Sequence, residues 1–454
     1  MTDRLVTILK IGVIILFVIA LIMGGWLIYT KFIKNREVEN IEEENIELVW
    51  WTLWEKREDL QILADAYKVK NPNVTIKIEP QEIESQYKSK LVGYLTDDVS
   101  GNAPDIVRIH NTWVPSLSSY LTPLPSSVMS EADYRNIFYD TASQDLKSKD
   151  GRIYAIPLMF DGLGLYYNKT LLKNAGYSIP EDNWDDFVTQ AKTLTQYDNE
   201  DKIIIAGAGI GSADNVDSFF DIVSLLMLQE GSTIIDSSGK TVFSGEDDMK
   251  AAKAIKFYTD FLIRYKVWDR SLPRDITMFS EGRLAFMFAP SWRVYNINDA
   301  VDSVGATLDY DIAPVPQQPT VSGEQVNWSN YWAEAVSLES KHADIAWDFL
   351  KFISEPDQLK SFYSKTSENR EFGEIYPRKD MADDLISEKY VGAYIKMVES
   401  AQSWRMIDDV KVSDEFKQLI EEIVSSGQGE VSGIQTRLID ISPTLDAILT
   451  SGNN

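Results

Sequence analysis

Twelve tryptophans, 21 tyrosines and 18 phenylalanines stand in a chain of 454 residues. Several of the largest rings sit in broken or polar stretches, where core packing does not require them. They are Trp54 in "TLWE", Trp113 in "RIHNTW", Trp292 in "APSWRV", Trp328 and Trp332 in "VNWSNYWAE", and Trp404 in "AQSWRMID". Polar groups adjoin them: Glu55, His110 and Asn111 beside the first two, Tyr331 and Arg405 beside the last two. An aromatic face suits the C–H face of a sugar ring, while carboxylates and amides bridge its hydroxyls. Half-buried packing accounts for any one of these rings, but less well for the set.

Other chemistry has little support. The only histidines, His110 and His342, are far apart, which argues against a histidine metal site or a Ser-His-Asp triad. The absence of cysteine removes disulfides, thiolate catalysis and Cys-ligated metals, and also the lipidated cysteine of a bacterial lipoprotein. "GAGIGS", residues 207–212, spaces its glycines as G-x-G-x-G and is followed by no Lys-Ser/Thr pair, so it reads as a tight turn and not a phosphate loop. Carboxylate pairs are too numerous for any one to mark an acid/base dyad. No catalytic residue, metal or cofactor is expected. The 44 basic against 70 acidic side chains give a net charge of −26. Only 5 basic and 6 acidic residues precede residue 46, so the acidity belongs to the remainder, which disfavours nucleic acid as a partner.

The elements that must position the aromatic and polar groups follow from hydrophobic periodicity. Residues 11–30 carry no charge and lie between Lys10 and Lys31. As a helix rising about 1.5 Å per residue they just span a hydrocarbon core of roughly 30 Å. With Trp26 and Tyr29 at one end, this reads as an uncleaved transmembrane anchor after a short flank, residues 1–10, and before a charged linker, residues 31–45. Arg4 and Lys10 flank it on one side and Lys31, Lys34 and Arg36 on the other, a distribution that favours a cytoplasmic body. Beyond the linker, "IELVWWTLW", "VTIKIEP" and "APDIVRIH" read as strands separated by amphipathic helices, one with Leu60, Leu63, Ala64 and Tyr67 on one face. That order predicts an α/β fold with a mainly parallel sheet, whose ligands gather beyond the carboxyl ends of the strands, here "TLWE" and "RIHNTW". From Trp184 onward the chain is largely helical.

"DGRIYAIPLMFDGLGLYYNKTLLKNAG", residues 150–176, interrupts an apolar run at Asp161-Gly162 before resuming as a strand and a helix. This stretch resembles the segment where extracellular solute-binding proteins of ABC importers, of the maltose- and multiple-sugar-binding type, first cross their hinge. "APDIVRIHNTWVPSLSSYLTPL", "MFSEGRLAFMFAPSW" and "ADIAWDFLKFISEPDQLKSFY" are similar to three further stretches of that family, in the family's order. The resemblance implies a two-lobed periplasmic-binding-protein-like fold with a hinge, preceded here by the transmembrane helix. It implies lobe one at 46–160 and 331–378, and a helix-rich lobe two at 161–330 and 379–450. Asp161 would face the cleft, Gly162 would permit backbone change on closure, and Trp292 would stack on the ligand. It implies a neutral small-molecule ligand of carbohydrate type, ABC permease subunits as partners, and a body outside the membrane, against the flanking charges. The chain departs from the family at "SNYWAEAVS", a bulky run where a glycine-rich one is usual. Two other readings stand beside this one: a glycan hydrolase using Glu55 and Asp161, and a ligand-binding sensor or adhesion module.

Overall fold

The computed structural model describes residues 2–28, 45–82, 84–96, 103–245, 249–318, 323–427 and 429–451. It divides into a unit of residues 1–47 with 71–75, and a larger unit of 48–70 with 76–454. In the first unit, one helix spans Thr2–Ile28. Its stretch Arg4–Leu27, 24 residues of mean hydropathy 3.0, is long and apolar enough to cross a membrane. The helix starts well before residue 11, so Arg4 and Lys10 lie on it, and Trp26 lies in its last turn. Tyr29, the expected end of the span at residue 30 and nearly all of the linker, 31–44, fall outside the described residues.

The strands of the body are β1 Ile46–Leu53, β2 Val74–Gln81, β3 Ile106–His110, β4 Leu121–Thr122, β5 Ala155–Pro157, β6 Gly164–Asn168, β7 Gln196–Tyr197, β8 Ile203–Gly209, β9 Leu284–Ala289, β10 Tyr310–Ala313, β11 Asn327–Trp328, β12 Trp332–Ser337 and β13 Ala401–Gln402. The first sheet has the order β2-β1-β3-β12-β4, with β5 also on β12. β1 and β3 run parallel, as the alternation of strands and helices predicts. The expectation of a mainly parallel sheet fails at β12, which enters from a distant part of the chain and runs against β3, β4 and β5. The helix Arg57–Lys70 buries the expected stripe, Leu60, Leu63, Ala64 and Tyr67, and carries acids in its first turn and lysines in its last, which suits its dipole. Tyr67 meets Phe349 and Phe352 of the helix Ala343–Ile353, at ring distances of 5.2 and 5.4 Å.

The second sheet has the order β10-β6-β9-β8-β7. Every residue of β6 and β9 is buried, and Trp184, Phe187 and Phe288 pack together between that sheet and its helices. The C-terminal helices Asp409–Ser426 and Val431–Thr450 pack on helix Lys250–Ile263 in this half. A third, two-stranded sheet pairs β11 with β13 in parallel. Gly162 bridges Ser329 beside it, and Asn330 N donates to the Asp161 carbonyl at 3.1 Å, so the crossing segments lie side by side. Crowding explains the glycine: a Cβ at 162 would sit 2.3 Å from the Trp328 carbonyl oxygen.

Candidate functional site

Parallel β1 and β3 end at one edge of the first sheet, and antiparallel β12 begins there, with Trp332 opposite His110 in register. That pairing brings four of the expected residues into one cluster. Trp332 meets Trp54 at 4.6 Å, Trp113 at 5.1 Å and His110 at 5.1 Å, each nearly perpendicular. Trp54 has a left-handed backbone, φ 62°, and is 51% exposed, whereas Trp332 is half-buried and Trp113 and His110 are buried. Non-glycine residues held at positive φ are costly and recur where ligands are gripped.

Polar bonds tie this cluster to the second half. His110 pairs through Nδ1 with Thr112 Oγ1 and through Nε2 with Asn330 Oδ1, both at 2.7 Å. Asn330 Nδ2 and the indole N–H of Trp328 both donate to Asp221 Oδ1, at 3.3 and 2.8 Å. The Trp113 indole donates to Asp409 Oδ1 at 2.9 Å. Lys88 lies over the Trp113 ring, 4.8 Å from its centre, and donates to the Ile407 carbonyl at 2.7 Å. Burial pushes Asp221 up; at Asp409 the same effect is outweighed by His110, Lys88 and the Trp113 donor, which hold it low.

Asn111 and Tyr331 face a different hub. Asp145 Oδ2 accepts from Asn111 at 2.8 Å, Tyr331 at 3.1 Å and Thr141 at 3.2 Å, and its Oδ1 accepts from Ser403 at 2.6 Å. Next to Ser403, Arg405 donates to the Lys147 carbonyl at 2.6 Å. Trp404 turns inward. It is buried, donates to Ser224 Oγ at 3.2 Å and meets Phe220 edge-on, so its ring is spent on packing.

The two carboxylates expected at the cleft are already engaged. Glu55 is buried against Arg108, which also bonds Glu334 at 2.7 Å. Burial pushes Glu55 up to about 7 against the pull of Arg108. Asp161 accepts from Ser291 N at 3.0 Å, Ser291 Oγ at 2.8 Å and Gly162 N at 2.8 Å. Burial pushes it up to about 7 against those donors. Trp292 follows Ser291, 46% exposed, with the Arg293 guanidinium 4.4 Å from its ring centre. Arg370 and Glu374 pair at 2.6 Å, and the charge of Glu374 acts on both Glu55 and Asp161.

Sequence reasoning missed Arg108, Glu334, Asp145, Asp221, Asn330, Asp409 and Lys88. Arg108 left a signal: a cation inside the apolar run "IVRIH" needs buried partners. The acids left none among 70.

Residues 54–360 match the sequence model of the bacterial extracellular solute-binding proteins. The chain belongs to this family. Among its relatives, the maltodextrin-binding protein MdxE of Bacillus subtilis is 25% identical over 310 residues, 66% of this chain and 67% of that one. The diacetylchitobiose-binding protein DasA of Streptomyces coelicolor is 24% identical over 295 residues, 64% of each chain. The matches thus span about two thirds of either relative. Solved structures agree on the fold. The sugar-binding protein MalE of Xanthomonas citri superimposes with a TM-score of 0.70 at 18% identity, over 90% of this chain and 98% of that one. A cyclo/maltodextrin-binding protein complexed with maltotetraose gives 0.69 at 16%, over 88% and 96%. This solute-binding protein is therefore a two-lobed α/β protein with an N-terminal apolar helix.

Proposed function

We propose that the protein captures a neutral saccharide between its lobes and delivers it to the permease subunits of an ABC importer, without performing chemistry on it. The observation that carries this reading is the exposed Trp54 standing over the Trp332–Trp113–His110 cluster at the ligand edge of the first sheet. An exposed indole backed by Trp332, itself held by Trp113 and His110, is a rigid apolar face, and the polar groups around it can meet hydroxyls. The relatives that bind maltodextrin and diacetylchitobiose support the carbohydrate class. Trp292, exposed from the second half, is assigned to the opposite wall.

The bonds between the halves support closure as the mechanism. Trp113–Asp409, Lys88–Ile407, Ser403–Asp145 and Arg405–Lys147 join segments assigned to different lobes, and a closing motion would make use of them. Ligand and latch then stabilise the same closed state. We assign lobe one to 46–160 and 331–378, lobe two to 161–330 and 379–450, and the Thr2–Ile28 helix to a membrane anchor with the body outside. The engagement of Glu55 by Arg108 and of Asp161 by Ser291 argues against the hydrolase reading, which needs two opposed and available carboxyls.

A thermal-shift screen against mono- and oligosaccharides, amino acids and peptides tests the ligand class, since a specific ligand raises apparent stability by binding the native state. Stabilisation by amino acids or peptides alone would sink the carbohydrate reading. Protease added to intact protoplasts should remove the body, and full protection would overturn its placement outside.

A further inference from the structure

Trp332 and Trp54 touch, yet they stand differently. Trp54 projects and is 51% exposed. Trp332 is half-buried and hemmed on three sides by Trp54, Trp113 and His110, at 4.6 to 5.1 Å and interplanar angles of 73 to 78°. Its position is set by the sheet: it opens β12 directly opposite His110, and the next residues of β12 are locked against β3 through Ala333–Ile109 and Glu334–Arg108. The ladder thus fixes the backbone of Trp332, and the three surrounding rings confine its indole. Such a ring fills space at the ligand edge and offers little free face of its own.

Building on the carbohydrate reading above, we propose that Trp332 determines ligand length, its indole taking the place of one sugar unit on the lobe-one side. An indole and a pyranose ring are of comparable size. Truncation would leave a slot bounded by Trp54, Trp113 and His110, and a cavity formed by removing a large side chain can accept a ligand of matching shape. The slot would have two indole walls for stacking, the feature a further sugar ring needs.

The test is titration calorimetry on the parent, Trp332→Ala and Trp332→Phe. Two series serve as probes, α-1,4-glucosides and β-1,4-N-acetylglucosaminides, each from monosaccharide to tetrasaccharide. In Trp332→Ala the tightest-binding length should rise by one unit, and that longer ligand should bind roughly tenfold better than it does to the parent, a difference of about 1.4 kcal/mol. Free indole should refill the slot and return the variant to the parent's length profile. Trp332→Phe keeps most of the packing and should fall between the two, which preserves the test if the alanine variant folds poorly. Saccharide binding by the variant alone also supports the proposal. An unchanged length profile overturns it, as does an equal loss at every length, which would make Trp332 a stacking surface. If neither parent nor variants bind either series, the carbohydrate reading itself falls and takes this inference with it; binding by the parent with an unchanged profile overturns the inference alone.

Discussion

The indole nitrogen of Trp113 donates to the Asp409 carboxylate at 2.9 Å, joining the turn Asn111–Trp113 that follows β3 to the first turn of helix Asp409–Ser426. One partner belongs to the first half and the other packs with the second. The bond is favoured twice, by a charged acceptor and by the position of that acceptor at a helix N-terminus.

Loss of this latch should loosen closure. Asp409→Ala should weaken ligand binding by roughly 1.5–3 kcal/mol, the range for a hydrogen bond to a charged group. Small-angle scattering without ligand should show a larger radius of gyration for the variant. Equal affinity and equal dimensions would remove Asp409 from the closing mechanism.

Trp54 and Trp404 should separate binding from packing. Trp54→Ala removes a ring that is 51% exposed, so it should cost on the order of 2 kcal/mol in ligand affinity, as for an aromatic anchor, with little change in melting temperature. Trp404→Ala removes a buried ring and should lower stability by about 3–5 kcal/mol. Denaturant titration and calorimetry on both variants check the pair; the reverse pattern would exchange their roles.

The Arg108 triad should be needed as a whole. Arg108→Leu strands Glu55 and Glu334 as unpaired buried carboxyls and should destabilise by about 3–5 kcal/mol. Adding Glu55→Gln and Glu334→Gln to that variant should recover much of the loss, since no buried charge then remains. Failure of the triple variant to recover any stability would place the cost in packing.

Stability should fall as pH rises toward neutrality. Burial pushes Asp161 up to about 7, whereas an unfolded aspartate titrates near about 3.9. Between those values the native state keeps a proton that the unfolded chain has lost. This contribution is full below about pH 4 and is lost as pH rises through about 7. Urea midpoints should therefore drop between about pH 4 and 7, and Asp161→Asn should flatten that dependence. Glu55, also raised to about 7, acts in the same sense and leaves a residual slope. An unchanged slope in the variant would assign the titration to other groups.

The amino-acid sequence by itself determined the features that depend on near neighbours. An uncharged run of membrane length, the alternation of strand and helix through the first three strands, and the broken strand at Asp161-Gly162 are local patterns, and four short stretches standing in the family's order, that broken strand among them, carried the resemblance to the family. The gathering of Trp54, His110 and Trp113 was also legible, because strand ends in such sheets share an edge. Only the tertiary structure decided which rings are exposed and which are buried. Trp54 and Trp404 look alike in sequence, yet one projects from a left-handed turn and the other packs on Phe220. The glycine at 162 was read as a source of freedom, and its packed neighbour, the Trp328 carbonyl, makes it a matter of room. Trp113 and Asp409 lie 296 positions apart, and Arg108 and Glu334 lie 226 apart. Partners so distant are chosen by how the sheets are ordered and crossed, which β12 settles by returning antiparallel beside β3. No local pattern carries that information, because the energy of each bond resides in the pair and not in either residue alone.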